Sequence, residues 1–174
     1  MTGFVALLRA ANVGGTGKLP MRDLRSLCES AGLRAVRTYI ASGNVVFESD
    51  EAESQIKAAL EGRLHEYAGK PVGVLLRTSR EMAGVVASNP FPNAAPNRTV
   101  AIFLDRPPAF DALENVAGHQ GEELRLGTRE IYVHYHGGMA RSRLQIPAAR
   151  AGTARNMNTV AKLASMVAEL ARAR

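Results

Sequence analysis

The sequence has very little of the residues on which several classes of protein depend. A single cysteine, Cys28, stands among 174 residues, which excludes an intramolecular disulfide framework and a metal site built from several cysteines. There are four tyrosines, five phenylalanines and no tryptophan, so the aromatic pairs that stack bases in RNA-recognition modules are missing. No run approaches the roughly 18 to 20 consecutive apolar residues of a membrane span, and residues 1–8 lack the charged start and cleavage site of a signal peptide. We therefore expect a cytoplasmic protein with no membrane partner.

Charge is distributed unevenly along the chain. Residues 1–47 carry six basic and two acidic groups, residues 48–137 nine and thirteen, and residues 138–174 seven and one, so the net charge of +6 belongs to the two ends. If the fold brings the ends together, they form a positive surface that attracts phosphates or other anions. Eighteen of the 22 basic residues are arginine, which suits phosphate contacts made through two hydrogen bonds. The alternative is a generally basic protein with an arginine-rich composition.

Hydrophobic periodicity predicts the elements of the first half. A continuous apolar run indicates a strand buried on both faces, whereas spacing of three and four residues indicates helix. The predicted elements, in order, are a strand over 4–9, a helix over 20–32, strands over 36–40 and 45–47, a helix to about residue 69 opened by a cap at Asp50 and Glu53, and a strand over 72–78. This order of strand, helix, strand, strand, helix, strand is that of a ferredoxin-like domain.

The second half repeats the pattern. Its predicted elements are a helix over 79–88 halted by Asn89-Pro90-Phe91-Pro92, a strand over 99–104, a helix over 109–116, strands over 123–126 and 130–135, and a final helix with an apolar stripe from Val160 to Leu170. No last strand is evident between the hairpin and the final helix. We therefore predict an α+β fold of two duplicated ferredoxin-like (βαββαβ) halves, residues 1–78 and 79–174, packed together.

Short segments spread over nearly the whole chain resemble a known family. They are Leu7-Leu8-Arg9 with Asn12-Val13-Gly14-Gly15, Thr38-Tyr39-Ile40 with Ser42-Gly43-Asn44-Val45-Val46-Phe47, Asn89-Pro90-Phe91-Pro92, Ile131-Tyr132 with His134-Tyr135, and Gly152-Thr153-Ala154-Arg155-Asn156 with Asn158-Thr159-Val160. In this order they resemble an uncharacterised bacterial family, domain of unknown function 1697. The resemblance implies a duplicated ferredoxin-like fold and supplies no activity. Ala10-Ala11 stands where that family usually has Gly-Ile, and Met157 where it usually has a tryptophan that either stacks on a ligand or packs.

A glycine-rich loop between the first predicted strand and helix is the first candidate binding site. Its candidate ligand residues are Asn12, Gly14, Gly15 and Lys18. Such a loop can turn successive backbone N–H groups toward an anion, and Arg9 would place a guanidinium beside it. It is not a Walker P-loop, because Asn12 stands where that motif needs glycine and no Ser or Thr follows Lys18. The alternative is a flexible connector.

The turn before the last predicted helix is the second candidate. Asn156 or Asn158 can cap that helix, and Arg155 would add charge next to its N-terminal N–H groups. Plain helix capping with a solvated arginine is the alternative. Ser42 and Asn44 are weaker candidates, because they suit an ordinary hairpin turn and the predicted strand order places Asn44 at the sheet end opposite Arg9.

Other reactive side chains are expected to be structural. His134 and His136 share one strand face with Tyr132 and could hold a metal together, but a third ligand is not evident. Cys28 falls on an apolar helix stripe, which predicts a buried side chain rather than a nucleophile. We expect neither a metal nor a cofactor.

Three classes of function stay open. Carboxylates are scarce around both candidate loops, which favours binding of a negative ligand over acid and base chemistry. The preferred hypothesis is a phosphate-bearing ligand, either a nucleotide or a nucleic-acid backbone. The alternatives are an enzyme acting on a small anionic metabolite, with His134 as its acid or base, and an interaction module whose partner is another protein or a second copy of the chain.

Overall fold

The computed structural model describes residues 1–9, 19–41 and 43–174, and it is an α+β fold with two four-stranded antiparallel sheets. The strands are β1 (Thr2–Leu8), β2 (Arg34–Tyr39), β3 (Asn44–Ser49), β4 (Val74–Thr78), β5 (Thr99–Phe103), β6 (Glu123–Leu126), β7 (Glu130–His134) and β8 (Thr153–Asn156). The helices are α1 (Met21–Ser30), α2 (Glu53–Ala68), α3 (Ser79–Ala87) and α4 (Met157–Arg172). None of the helices in the described ranges has the length and apolar character needed to span a bilayer.

The chain divides into two compact units. The first comprises Met1–Met82 with Leu163–Arg174, and the second comprises Ala83–Lys162. The latter part of α4 therefore belongs with the first unit. This division follows contacts, whereas the predicted halves 1–78 and 79–174 follow a repeated order of elements and stay a prediction.

The first sheet has the strand order β2-β3-β1-β4. β1 pairs antiparallel with β3 from Thr2↔Ser49 to Leu7↔Asn44, and with β4 from Phe4↔Thr78 to Leu8↔Val74. Antiparallel pairing on both sides puts the end of β1 next to the start of β3 and the start of β4. The central strand is buried on both faces from its second to its last residue, as the continuous apolar run predicts.

Apolar side chains of β1, β3 and β4 alternate between two packed faces. One face forms a core with α1 and α2 that includes Leu24, Cys28 and Leu60. On the other face α4 comes so close that a Cβ on Gly3 would lie 3.0 Å from the Val167 Cγ2 atom. Both faces of this sheet are therefore covered.

The start of α2 differs from the prediction. Ala52 is the residue before the helix, and its N–H donates to the Gln55 Oε1 atom at 3.1 Å. Asp50 instead lies 3.0 Å from the N-terminal ammonium of Met1, so the predicted cap at Asp50 and Glu53 is wrong. The local pattern assigns the Asp50 carboxylate to the start of the helix, but the carboxylate forms an ion pair with a distant part of the chain.

The second sheet has the order β6-β7-β5-β8, which is the same order by chain position as in the first. Two predictions are wrong here. Residues 109–116 form turns rather than a helix, because Phe110, which would lead the apolar stripe, is 94% exposed and buries nothing. β8 supplies the last strand that the pattern did not reveal, since Thr153–Asn156 is a short edge strand without apolar alternation.

Candidate functional site

The candidate site of the first unit lies at the end of β1, where three segments converge. The Leu8 N–H donates to the Gly43 carbonyl at 2.9 Å, and the Arg9 N–H donates to the Gly73 carbonyl at 2.9 Å. Gly43 belongs to the turn between β2 and β3, and Gly73 immediately precedes β4. Arg9 is therefore held by its backbone between two glycines, beside the point where the glycine-rich loop begins in the sequence.

The side chain of Arg9 lies directly over Gly73. A Cβ on Gly73 would be 3.0 Å from the Arg9 Cδ atom, 3.5 Å from Cγ and 3.7 Å from Cβ. The first of these distances is tighter than ordinary van der Waals contact, so glycine leaves the room that the arginine stem occupies. Gly73 is a site residue that the sequence analysis missed. Its only signal is a glycine at the second position of the strand predicted over 72–78.

Asn44 lies at the same end of the sheet as Arg9, contrary to the prediction. Because β1 and β3 run antiparallel, the first residue of β3 faces Leu7 near the end of β1. The side chain is fully buried, and its Nδ2 atom donates to the Tyr39 carbonyl at 2.9 Å. Asn44 therefore closes the hairpin next to the site.

The hairpin turn itself has an unusual backbone. Ile40 has φ 50° and is 48% exposed, and Gly43 has φ 83°. A β-branched residue in the left-handed region is strained by about 1–3 kcal/mol. The surrounding hydrogen bonds of Asn44 and Gly43 hold the turn in this conformation.

A second cation lies near the site. Lys57 of α2 donates from Nζ to the carbonyl of Val74, the first residue of β4, and lies 2.8 Å from the Glu61 carboxylate. It therefore braces the edge strand and is neutralised by its own helix. Five of the predicted ligand residues fall outside the described residues, namely Asn12, Gly14, Gly15, Lys18 and Ser42.

The second predicted site has a different local structure from the one expected. Arg155 lies in β8 rather than in a turn, pairs with Ala101 and is only 7% exposed. Its Nη1 atom donates to Thr153 Oγ1 at 2.6 Å and to the Ala154 carbonyl at 3.0 Å. Burial lowers the pKa of Arg155 to about 10, so it stays charged at neutral pH. The prediction of a guanidinium in a helix-capping loop is wrong, because the segment pairs with β5.

The two asparagines after Arg155 have separate roles. The Asn156 Oδ1 atom accepts the Thr159 N–H at 3.0 Å, which is the hydrogen bond of an N-cap. Asn158 is the second residue of α4 and is exposed. The capping alternative is therefore confirmed for Asn156.

Comparison with known proteins places the chain in a family. Residues 1–132 match the family described as protein of unknown function (DUF1697). The chain belongs to this family. The structure of conserved bacterial protein SP0830 from Streptococcus pneumoniae is similar to it with a TM-score of 0.80 and 24% identity, over 95% of this chain and 98% of that one. No curated protein matches the chain.

Met157, the position at which the resemblance described above implies a tryptophan, is the first residue of α4 and is buried. Its side chain therefore packs inside the protein, where a flexible thioether fills space readily. This favours the packing interpretation of that position over stacking on a ligand.

Two of the four histidines of this DUF1697 protein, His134 and His136, are engaged with neighbouring side chains. His134 is buried, with its Nδ1 atom 3.2 Å from Thr99 Oγ1, and its ring centroid lies 4.2 Å from that of His136. His136 lies 2.8 Å from the Glu123 carboxylate. Within the described ranges no group of three or more His, Cys, Asp or Glu side chains could hold a metal ion.

The two ends of the chain meet in the first unit, but at the end of the sheet away from Arg9. Arg174 donates to the Met1 carbonyl at 3.0 Å, and its Nε atom lies 3.0 Å from the Glu48 carboxylate. Asp50 pairs with the Met1 ammonium and lies 3.9 Å from Arg34. Carboxylates thus neutralise the basic groups that come together there, which leaves the Arg9 end as the better location for an anion.

Proposed function

We propose that this protein is cytoplasmic and binds a phosphate-bearing ligand at the end of β1. The ligand is a nucleotide or a nucleic-acid backbone. The observation that carries the proposal is the placement of Arg9, whose stem rests on Gly73 where three segments converge. Guanidinium groups bind phosphate through paired hydrogen bonds. Asn12, Gly14, Gly15 and Lys18 would complete the site from the loop that follows Arg9.

The charge of the converging segments favours an anion. Residues 7–9, 39–44 and 70–76 contain Arg9 and Lys70 and no acidic residue. A phosphate placed there would meet no carboxylate from these segments, and the nearby Glu61 carboxylate is paired with Lys57. Ser42 stays a predicted ligand residue.

We also infer that the two units are duplicated ferredoxin-like domains. The orders β2-β3-β1-β4 and β6-β7-β5-β8 are the same when each unit is numbered from its own first strand. This is the strand order of the split βαββαβ unit, whose two helices between strands are present in the first unit and absent from the connections of the second. Under this interpretation β8 is the second unit's counterpart of β4. Arg155 and Asn158 stay predicted ligand residues, and Arg155 contributes less than Arg9 because β8 buries it.

The proposal is tested by binding measurements on an arginine pair. We would titrate the protein and the R9A variant with inorganic phosphate, ATP, and labelled single-stranded and duplex oligonucleotides by calorimetry or anisotropy. Loss of a charged hydrogen-bond partner is worth about 1.5–3 kcal/mol, so R9A should bind about 10 to 100 times more weakly. R22A is the matched control, because Arg22 lies in the same unit with an 89% exposed side chain.

Salt dependence separates the two kinds of ligand. A nucleic-acid backbone contacted at several phosphates loses orders of magnitude in affinity between about 50 and 200 mM salt, whereas a small nucleotide loses far less. Absence of binding to every probe, or equal binding by R9A and R22A, would refute the proposal. In the first case an interaction module with another protein or a second copy would become the better hypothesis. Burial of His134 weighs against the enzyme alternative built on it.

A further inference from the structure

Two irregular connections of the second unit enclose a small cleft. Residues 104–122 join β5 to β6, and residues 135–152 join β7 to β8. They are fastened together by an isolated backbone bridge, in which the Ala117 N–H donates to the Gln145 carbonyl at 3.0 Å and the reverse bond measures 2.8 Å. The cleft has a volume of about 200 Å³. Its lining residues are Gln120, Glu122, Tyr135, His136, Gly137, Gly138, Arg141 and Ser142.

One side of the cleft carries a fixed negative charge. Glu122 is only 6% exposed, and its Oε1 atom accepts the Ser142 hydroxyl at 2.7 Å while Oε2 accepts the Gln120 N–H at 2.5 Å. The hydrogen bond from Ser142, followed by those from the backbone, lowers the pKa of Glu122 below its usual range. The carboxylate is therefore ionised at neutral pH, and its remaining lone pairs can accept further hydrogen bonds.

The opposite charge lies in the same cleft. Arg141 is exposed, and its guanidinium makes neither a hydrogen bond nor an ion pair with any residue in the described ranges. The two charges thus line one cleft without neutralising each other. Arg143, two residues further along the same loop, is also exposed but does not line the cleft.

The rest of the lining suits a small polar molecule. Tyr135 is half-buried against the apolar core of the second unit, which fixes its ring at the wall of the cleft. Gly137 and Gly138 leave open space where side chains would stand, so their backbone is accessible. The volume is below the roughly 300–1,000 Å³ of sites that hold drug-sized ligands.

We propose that this cleft binds a small zwitterion of the α-amino acid class, with its ammonium group at Glu122 and its carboxylate at Arg141. A simple anion would be repelled by Glu122, and a simple cation by Arg141, whereas a molecule carrying both charges pairs with both. The hydrogen bonds from Ser142 and Gln120 hold Glu122 in place before a ligand arrives, which reduces the ordering cost of binding at that side chain. In the part of the chain that the structure describes, the lining of this cleft includes none of the residues proposed to bind phosphate.

The test compares an amino acid with its two halves. We would titrate the full-length protein with each standard α-amino acid, and with propionate and ethylamine, which are L-alanine without its amine and without its carboxylate. L-Alanine should bind with a Kd in the millimolar range or tighter, and both single-charge compounds should bind at least about tenfold more weakly than L-alanine or fail to bind. Chemical-shift changes in the protein's NMR spectrum give the affinities.

Matched variants assign the site. R141Q should weaken amino-acid binding at least about tenfold, whereas R143Q removes the same charge from the same loop and should change it less than about twofold. E122Q should weaken amino-acid binding as R141Q does. If E122Q does not fold, S142A takes its place, because it keeps the Glu122 charge and removes only the hydroxyl that holds the carboxylate. R9A should leave amino-acid binding unchanged, so failure at one site is distinguishable from failure at the other. Absence of binding by all amino acids, equal binding of propionate or ethylamine, or an unchanged affinity in R141Q would overturn the proposal.

Discussion

Replacing Gly73 by alanine tests whether this glycine positions Arg9. The backbone of Gly73 lies outside the left-handed region, so alanine meets no conformational barrier there. Without other effects, a Gly→Ala change at such a position stabilises a protein by about 0.4–1 kcal/mol, because it restricts the unfolded chain. Whether G73A gains this stability depends on the contact between the new Cβ and the Arg9 side chain.

In the native chain the new Cβ would lie 3.0 Å from the Arg9 Cδ atom. The Arg9 backbone cannot retreat easily, because its N–H is bonded to the Gly73 carbonyl at 2.9 Å. The side chain must therefore rotate, and a distorted rotamer costs about 0.5–1.5 kcal/mol. We expect the effect of G73A to lie between about 0.5 kcal/mol of stabilisation and about 1 kcal/mol of destabilisation, which is less than the gain expected without Arg9.

The R9A background separates the two contributions. R9A removes Cγ and Cδ and leaves the residue 9 Cβ atom 3.7 Å from a Cβ on residue 73, which is ordinary contact. In this background G73A should therefore stabilise the protein by about 0.4–1 kcal/mol. The coupling free energy of the double-mutant cycle should be about 0.5–1.5 kcal/mol. Urea unfolding followed by far-UV circular dichroism measures it in a chain that has no tryptophan.

G73A should also weaken phosphate binding without changing the charge of the protein, because rotation of the Arg9 side chain redirects its guanidinium. Additive effects, with a coupling below about 0.3 kcal/mol, would show that Gly73 does not position Arg9. The observation on which the proposed function rests would then lose its structural meaning. R9A alone tests only whether the charge is needed, and the cycle tests whether its placement is needed.

Two further predictions concern buried side chains away from the candidate sites. C28S should destabilise the first unit by about 1–3 kcal/mol, because it places a hydroxyl in an apolar core; in the wild type, burial raises the pKa of Cys28 to about 12, so a thiol reagent at pH 8 should label the protein only as fast as it unfolds. Y132F should destabilise the second unit by about 1–3 kcal/mol in urea unfolding, because the Tyr132 hydroxyl donates to the buried Val85 carbonyl at 2.8 Å and its loss leaves that carbonyl without its donor. Rapid labelling of native Cys28, or an unchanged midpoint for Y132F, would contradict these assignments.

The sequence predicts those elements whose side chains decide their own structure. The apolar run of β1, the helix stripe containing Leu24 and Cys28, and the hairpin of β2 and β3 all follow from local periodicity. In each case the pattern of apolar side chains lies within a short stretch of the chain, so the spacing of these residues is enough to predict the element. The α+β class and the family follow from the same segments.

The errors occur where a distant partner decides. β8 is a strand because it pairs with the edge of β5, and its sequence has no apolar alternation that would predict this. Asn44 was assigned to the wrong end of the sheet because only the antiparallel register with β1 shows which residues meet. Gly73 and Glu122 were not singled out, because their importance depends on contacts with Arg9 and Ser142 from other segments.

The same strand order produces different surroundings in the two units because the connections differ. In the first unit, α1 and α2 follow the first and third strands and close the apolar face of the sheet with regular side-chain packing. In the second, the equivalent connections lack an α-helix and cover the sheet through a few side chains, such as Leu113, Leu144 and Ile146. Irregular backbone must satisfy its polar groups with side chains and bridges, and this is what Glu122 and the Ala117↔Gln145 bridge do. In the second unit the connection between β5 and β6 forms turns where a helix is predicted over residues 109–116, and the same connection contributes Gln120 and Glu122 to the polar cleft.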